Sequence, residues 1–290
     1  MKLKDIPIVP IGPGSQPVEE DGTALEYIDM PRDMSTYVAP DIPDARNVRH
    51  LDGARQAMWW LRDAIQRYQP GSEPMMADIT ALDVENRDLI NQILGDGDVN
   101  LKYTGLIRAK VQESVLAGIW RTFYLDDEER VTHDLIEVSD VPYLAGMPLQ
   151  RKEGHSESLT DVEAPAGVMN AMSILTEIDE RRSRYVTGNP AHVINLTLLP
   201  LSDGDVQFLD ETLGRGPVYI LSRGYGDCHI IGTAVPNVWW VRYFNSMGKT
   251  ILNSVEVVDV PSVVRAAPED LTDSARRLEE ILEPYWKKAG

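Results

Sequence analysis

The six residues Glu137 to Pro142, EVSDVP, return as EVVDVP at Glu256 to Pro261. This recurrence constrains the fold more than any other feature of the chain, because self-similarity at a fixed spacing marks a repeated structural unit. A shift of 119 positions lays residues 89–142 over residues 208–261 without a gap. Twelve pairs are then identical: Leu94/Leu213, Gly95/Gly214, Gly97/Gly216, Val99/Val218, Gly105/Gly224, Trp120/Trp239, Tyr124/Tyr243, Glu137/Glu256, Val138/Val257, Asp140/Asp259, Val141/Val260 and Pro142/Pro261. Chance pairing at ordinary composition gives roughly three. Upstream the offset becomes 117, which aligns Arg67/Arg184, Tyr68/Tyr185, Gly71/Gly188, Thr80/Thr197 and Leu82/Leu199. An insertion near Pro200 and Leu201 reconciles the two offsets.

Periodicity within each copy predicts an α+β unit. In the first, Leu51, Ala54, Met58, Leu61 and Ile65 fall at helical spacing over residues 47–68. A short strand (76–82) leads to Asp83, a good N-cap, and a second helix stopped at Gly95. Alternating and β-branched runs then predict an antiparallel meander closed by the EVxDVP segment. The second copy repeats the order helix, strand, N-cap Ser202, helix, Gly214, meander. The expected organisation is an extended Pro- and Gly-rich N-terminal arm (1–45), a first unit (46–145), a polar linker (146–166), a second unit (167–265) and an amphipathic C-terminal helix (266–290).

Charge and cysteine content exclude several functions. Forty-six acidic against 28 basic residues give a net charge of −18, which repels a nucleic-acid backbone and suits a basic partner. With Cys228 as the only cysteine, neither an internal disulfide nor a four-cysteine metal cage can form within one chain. A reducing, cytoplasmic setting is expected. The N-terminal apolar run is broken by prolines, and no run of eighteen apolar residues predicts a membrane span. Histidines 50, 133, 155 and 192 have no partner at metal-ligand spacing, and HExxH, GxSxG, P-loop and Rossmann signatures are absent. No catalytic residue, metal site or cofactor is therefore expected.

Positions identical in both copies serve the shared backbone, so a specific job should lie where the copies diverge. The loop GYGDCHI (224–230) brings two glycines, an aromatic, the thiol and a histidine together, where the first copy has GLIRAK. Thiol beside imidazole is nucleophile or ligand chemistry, but adjacent strand residues point to opposite faces. The same alternation puts Trp239 and Trp240 on different faces, and an outward tryptophan suits an interface.

The stretches IPIVPIGPGSQP, ALEYIDMPRDMSTY, NQILGDGDV with QESVLAGIWR, INLTLLPLSDGDVQFL, SRGYGDCHI, VWWVRYFNS, ILNSVEVVDVP and AAPEDLTDSARRLEEIL give the chain a resemblance to the HupH/HyaF family of hydrogenase expression and maturation proteins. The resemblance implies a non-enzymatic assembly factor for nickel–iron uptake hydrogenase. It further implies a chaperone of the iron–sulfur small-subunit precursor that acts beside a thioredoxin-like companion before twin-arginine export. Partner-binding roles fall on Gly12, Pro13, Gly14, Ser15, Gln16, Pro17, Arg32, Tyr37, Tyr225, Cys228, His229, Trp240 and Arg242. The alternatives are a nickel carrier, which would need Cys228 from two chains, and a thiol redox enzyme, which would need a partner's resolving cysteine.

Overall fold

The structure, a computed structural model, describes residues 48, 50–147, 158–223 and 226–286. Predicted sites at residues 12–17, 32, 37 and 225 lie outside the described residues. The first copy runs α1 (Asp52–Arg67), β1 (Met75–Asp78), α2 (Val84–Leu94), β2 (Val99–Thr104), β3 (Arg108–Glu113), β4 (Ile119–Leu125) and β5 (Val131–Val138). A four-residue helix, α3 (Tyr143–Gly146), follows. The second copy runs α4 (Ala171–Ser183), β6 (His192–Asn195), α5 (Asp203–Leu213), β7 (Val218–Ser222), β8 (Cys228–Gly232), β9 (Val238–Phe244) and β10 (Thr250–Val257), and α6 (Pro268–Leu282) follows.

The ten strands among the described residues join one antiparallel sheet in the order β1-β5-β4-β3-β2-β7-β8-β9-β10-β6. The order reads as one copy followed by its reverse. At the centre β2 pairs with β7, with Leu101 opposite Ile220, Val99 opposite Ser222 and Tyr103 opposite Val218. Leu101 and Ile220 are the same position of the repeat, 101 + 119 = 220, and their flanking partners exchange symmetrically. This is the self-complementary contact of a two-fold dimer, formed here within one chain. The α+β fold and its repeat are thus those expected from the sequence, with the join made edge to edge by β2 and β7.

Local chemistry repeats with the topology. Asp83 caps α2 by accepting from the Asn86 N–H. Ser202 caps α5 in a reciprocal box with Asp205. Gly95 and Gly214 close these helices at φ 55° and 59°, where a side chain is strained. At Gly97 and Gly216 a Cβ would stand 2.4 Å from the carbonyl oxygens of Ser114 and Thr233 respectively, so both positions require glycine.

Alternation along the strands sorts the core into three parts. On one sheet face, Leu101, Val111 and Trp120 of the first copy meet Ile220, Ile230 and Trp239 of the second, closed by Leu144 of α3 and by Val260 and Val264 after β10. On the opposite face each copy has its own core. One lies under α1, α2 and α6, and the other under α4 and α5. The C-terminal helix therefore packs on α1, in the first copy's helical layer. Pro268 at its first turn costs nothing there, since that N–H has no helical partner.

Candidate functional site

Of the predicted loop at 224–230, Cys228, His229 and Ile230 belong to β8. Ser222 pairs with Cys228 and Leu221 with His229, so neighbouring side chains leave the sheet in opposite directions. Cys228 enters the shared core at 4% exposure, opposite Tyr243. Burial pushes its thiol up to about 12, outweighing a hydrogen bond with Tyr243, while Glu256 adds to the rise. A thiol held protonated at neutral pH is neither a ready nucleophile nor a ready metal ligand.

His229 stands on the other face. Its Nδ1 lies 2.5 Å from the Tyr219 hydroxyl in a hydrogen bond, and its ring meets Phe244 edge-on at 4.8 Å between centroids. Burial lowers its pKa; Asp227 opposes that shift and Arg242 reinforces it. The ring is neutral at neutral pH. Arg242 lies over the Trp240 ring at 4.7 Å from the centroid, a cation–π contact. The sheet thus gathers His229, Tyr219, Phe244, Arg242 and Trp240 on one face and separates Cys228 from them. Among the described residues, no group of three or more His, Cys, Asp or Glu side chains converges to hold a metal ion.

Trp240 is 2% exposed and belongs to the second copy's own core, so its indole is not presented at the surface. Its Nε1–H donates to Asn253 Oδ1 at 2.5 Å. In the first copy the equivalent residues are Arg121 and Asp134, a buried bidentate ion pair at 2.7 and 2.8 Å, with Asn91 accepting from the same guanidinium at 2.7 Å. The divergence at Trp240 exchanges one cross-strand core pair for another.

The repeated EVxDVP segment has a use that its letters do not show. The Tyr68 hydroxyl donates to Asp140 Oδ1 at 2.5 Å and accepts from the Asp140 N–H at 3.1 Å. In the second copy the Tyr185 hydroxyl donates to Asp259 Oδ1 at 3.2 Å and accepts from the Asp259 N–H at 2.9 Å. Arg265 then joins the copies, bonding Asp140 directly and lying 3.6 Å from Asp259. Burial alone would raise the Asp140 carboxyl, but Tyr68, the Gly71 N–H and Arg265 hold it below the usual carboxylate range. Glu137 of the same segment accepts from the Ser139 hydroxyl and the Tyr143 N–H, each at 2.6 Å, and so fixes the entry to α3. Both tyrosines are identical between copies, so their recurrence was visible in the sequence. Their pairing with the aspartates needed the fold.

Comparison with known proteins matches this duplication. The sequence profile described as the HupH hydrogenase expression protein, C-terminal conserved region, fits residues 53–164 and again residues 168–285. The chain is 46% identical over 278 residues to the hydrogenase expression/formation protein HoxQ of Cupriavidus necator, covering 96% of each. It is 42% identical over 229 residues to the hydrogenase expression/formation protein HupH of Rhizobium leguminosarum bv. viciae, covering 78% of this chain and 80% of that one. With the hydrogenase-1 operon protein HyaF of Escherichia coli it shares 29% identity over 277 residues, 93% of this chain and 94% of the relative. A solved structure of the hydrogenase expression protein HupH from Thiobacillus denitrificans aligns at 32% identity and TM-score 0.37, covering 38% of this chain and 92% of that chain.

Proposed function

Because the chain belongs to the family of HupH hydrogenase expression proteins, we propose that it is an assembly factor that holds the precursor of the iron–sulfur small subunit of a nickel–iron hydrogenase before twin-arginine export. A thioredoxin-like maturation protein is its companion in this reading. The observation that carries it is the state of the only thiol. Cys228 is buried and protonated, and the fold turns it away from His229. A protein of this kind holds a cysteine-rich client without competing for its iron. The same burial disfavours a nickel carrier built on Cys228.

The charge of −18 supports the reading, since a basic leader is attracted to an acidic holder and retained less well as salt rises. No helix among the described residues is long and apolar enough to cross a membrane. Tagged protein purified from cells making hydrogenase should carry the small-subunit precursor, identified by mass spectrometry. Raised salt and deletion of residues 1–45 should each weaken the capture. Purification without that precursor would overturn the proposal, and nickel bound stoichiometrically in the absence of chelator would favour the carrier instead.

A further inference from the structure

Arg108 pairs with Leu125, so the turn joining β2 to β3 and the turn joining β4 to β5 lie at the same end of the sheet. Between them is a cleft of 880 Å³. Leu106, Ile107, Tyr124 and Leu135 give it an apolar lining, Asp78 and Asp127 also line it, and Arg108 adds a guanidinium. Leu106 is 83% exposed and Ile107 40% exposed. Covering side chains of this kind takes apolar surface out of water, which favours binding.

The second copy is an internal control for the acids. Asp126 shapes its turn by accepting the N–H groups of Glu128 and Arg130 at 3.0 and 2.9 Å. Asn245, its equivalent, accepts those of Met247 and Lys249 at 3.0 and 2.9 Å. Asp78 accepts the Thr80 N–H at 2.8 Å, and its equivalent Asn195 accepts the Thr197 N–H at 3.0 Å. Asp127 corresponds to Ser246. The turns therefore need an oxygen acceptor, which a neutral side chain provides equally well. Asp126 uses its charge in an ion pair with Arg130 at 2.7 Å, whereas Asp78 and Asp127 carry charges that these turn bonds do not need, and the equivalent residues of the second copy, Asn195 and Ser246, are neutral. Hydrogen bonds from Thr80, and from the backbone at Arg130, hold Asp78 and Asp126 respectively below the usual carboxylate range, so both are ionised at neutral pH.

We propose that this cleft docks an extended segment of the client polypeptide in which a cationic side chain adjoins apolar ones. The apolar side chains cover Leu106 and Ile107, and the cation meets Asp78 and Asp127. The inference rests on the reading of the protein as a polypeptide holder and adds the place and the chemistry of contact.

The test uses the full-length protein and a short fluorescent peptide of two adjacent arginines followed by leucines. Control peptides carry glutamate for arginine or serine for leucine. Wild-type protein should bind the first peptide and neither control, as read by anisotropy. Leu106→Ser should weaken binding about tenfold, the equivalent of roughly 1.4 kcal/mol. Asp78→Asn with Asp127→Asn should weaken it severalfold and flatten its salt dependence, while thermal melts stay near wild type because the second copy shows that the turns tolerate neutral residues. Equal binding of all three peptides, or variants that bind as wild type does, would overturn the cleft. Variants that lose the peptide but still capture the small-subunit precursor at wild-type levels would remove the cleft as the client site and leave the holder reading standing. Wild type that binds the peptide yet captures no precursor would do the reverse.

Discussion

Trp240 bonds to Asn253 across β9 and β10 where, in the other copy, Arg121 bonds to Asp134 across β4 and β5. One fold position thus accepts a neutral pair and an ionic one. The energetic consequences of breaking them differ. Arg121 and Asp134 retain only 6% and 5% side-chain exposure, so removing the carboxylate strands a guanidinium away from water. Asp134→Ala should cost about 3–5 kcal/mol. Asn253→Ala removes a neutral, half-buried acceptor and should cost about 1 kcal/mol. Urea unfolding of the two variants checks the ranking, and equal losses would contradict it.

The tyrosine–aspartate clamps should also differ in strength. Asp140 is 6% exposed at its side chain and Asp259 30%. Tyr68→Phe leaves a buried carboxylate and its N–H short of a partner, at about 1–3 kcal/mol. Tyr185→Phe, where water can replace the hydroxyl, should cost less than half as much. A larger loss from Tyr185→Phe in the same melts would refute the assignment of Asp140 as the tighter site.

Glu113 supplies a pH signature. Burial, with Asp98 and Asp270 nearby, raises its carboxyl to about 7 against a hydrogen bond from the Val99 N–H. The folded state then binds more protons than the unfolded state between the unfolded carboxyl value, about 4.3, and 7, so this group's contribution to stability falls as pH rises through that window. Glu113→Gln should flatten the dependence and exceed wild type in stability above pH 7. Denaturation midpoints measured from pH 5 to 8 decide it, and parallel curves for the two proteins would show that the carboxyl titrates normally.

Cys228 should resist alkylation in the native protein at pH 8. Its labelling should follow unfolding, because both burial and the raised pKa remove the thiolate. Iodoacetamide labelling followed by mass spectrometry across a urea series measures this. Rapid modification in the absence of denaturant would reopen redox and metal roles for the thiol.

The repeat, the α+β class and the capped helices were legible because they depend on local periodicity and on glycines and caps at fixed offsets. The opposite facing of Cys228 and His229 followed from strand alternation alone. The helix predicted from residue 47 begins at Asp52, and the strand predicted to reach Leu82 ends at Asp78, where its carboxylate turns the chain. What local pattern could not supply was distance. Tyr68 and Asp140 are 72 residues apart, and Arg265 reaches Asp140 from 125 residues away. Nor could it show that Trp240 replaces Arg121 in the core, since an outward and an inward tryptophan are written alike.

The β2–β7 seam has a consequence for stoichiometry. Two separate identical chains meeting at such a seam would alter in step, so every mutation at one rim would appear at the other. Tethering the partners lets each drift alone, which is how one end keeps Asp78 and Asp127 while the other carries Asn195 and Ser246. With the docking cleft proposed above, a molecule built this way would offer a single lopsided grip and engage one guest at a time.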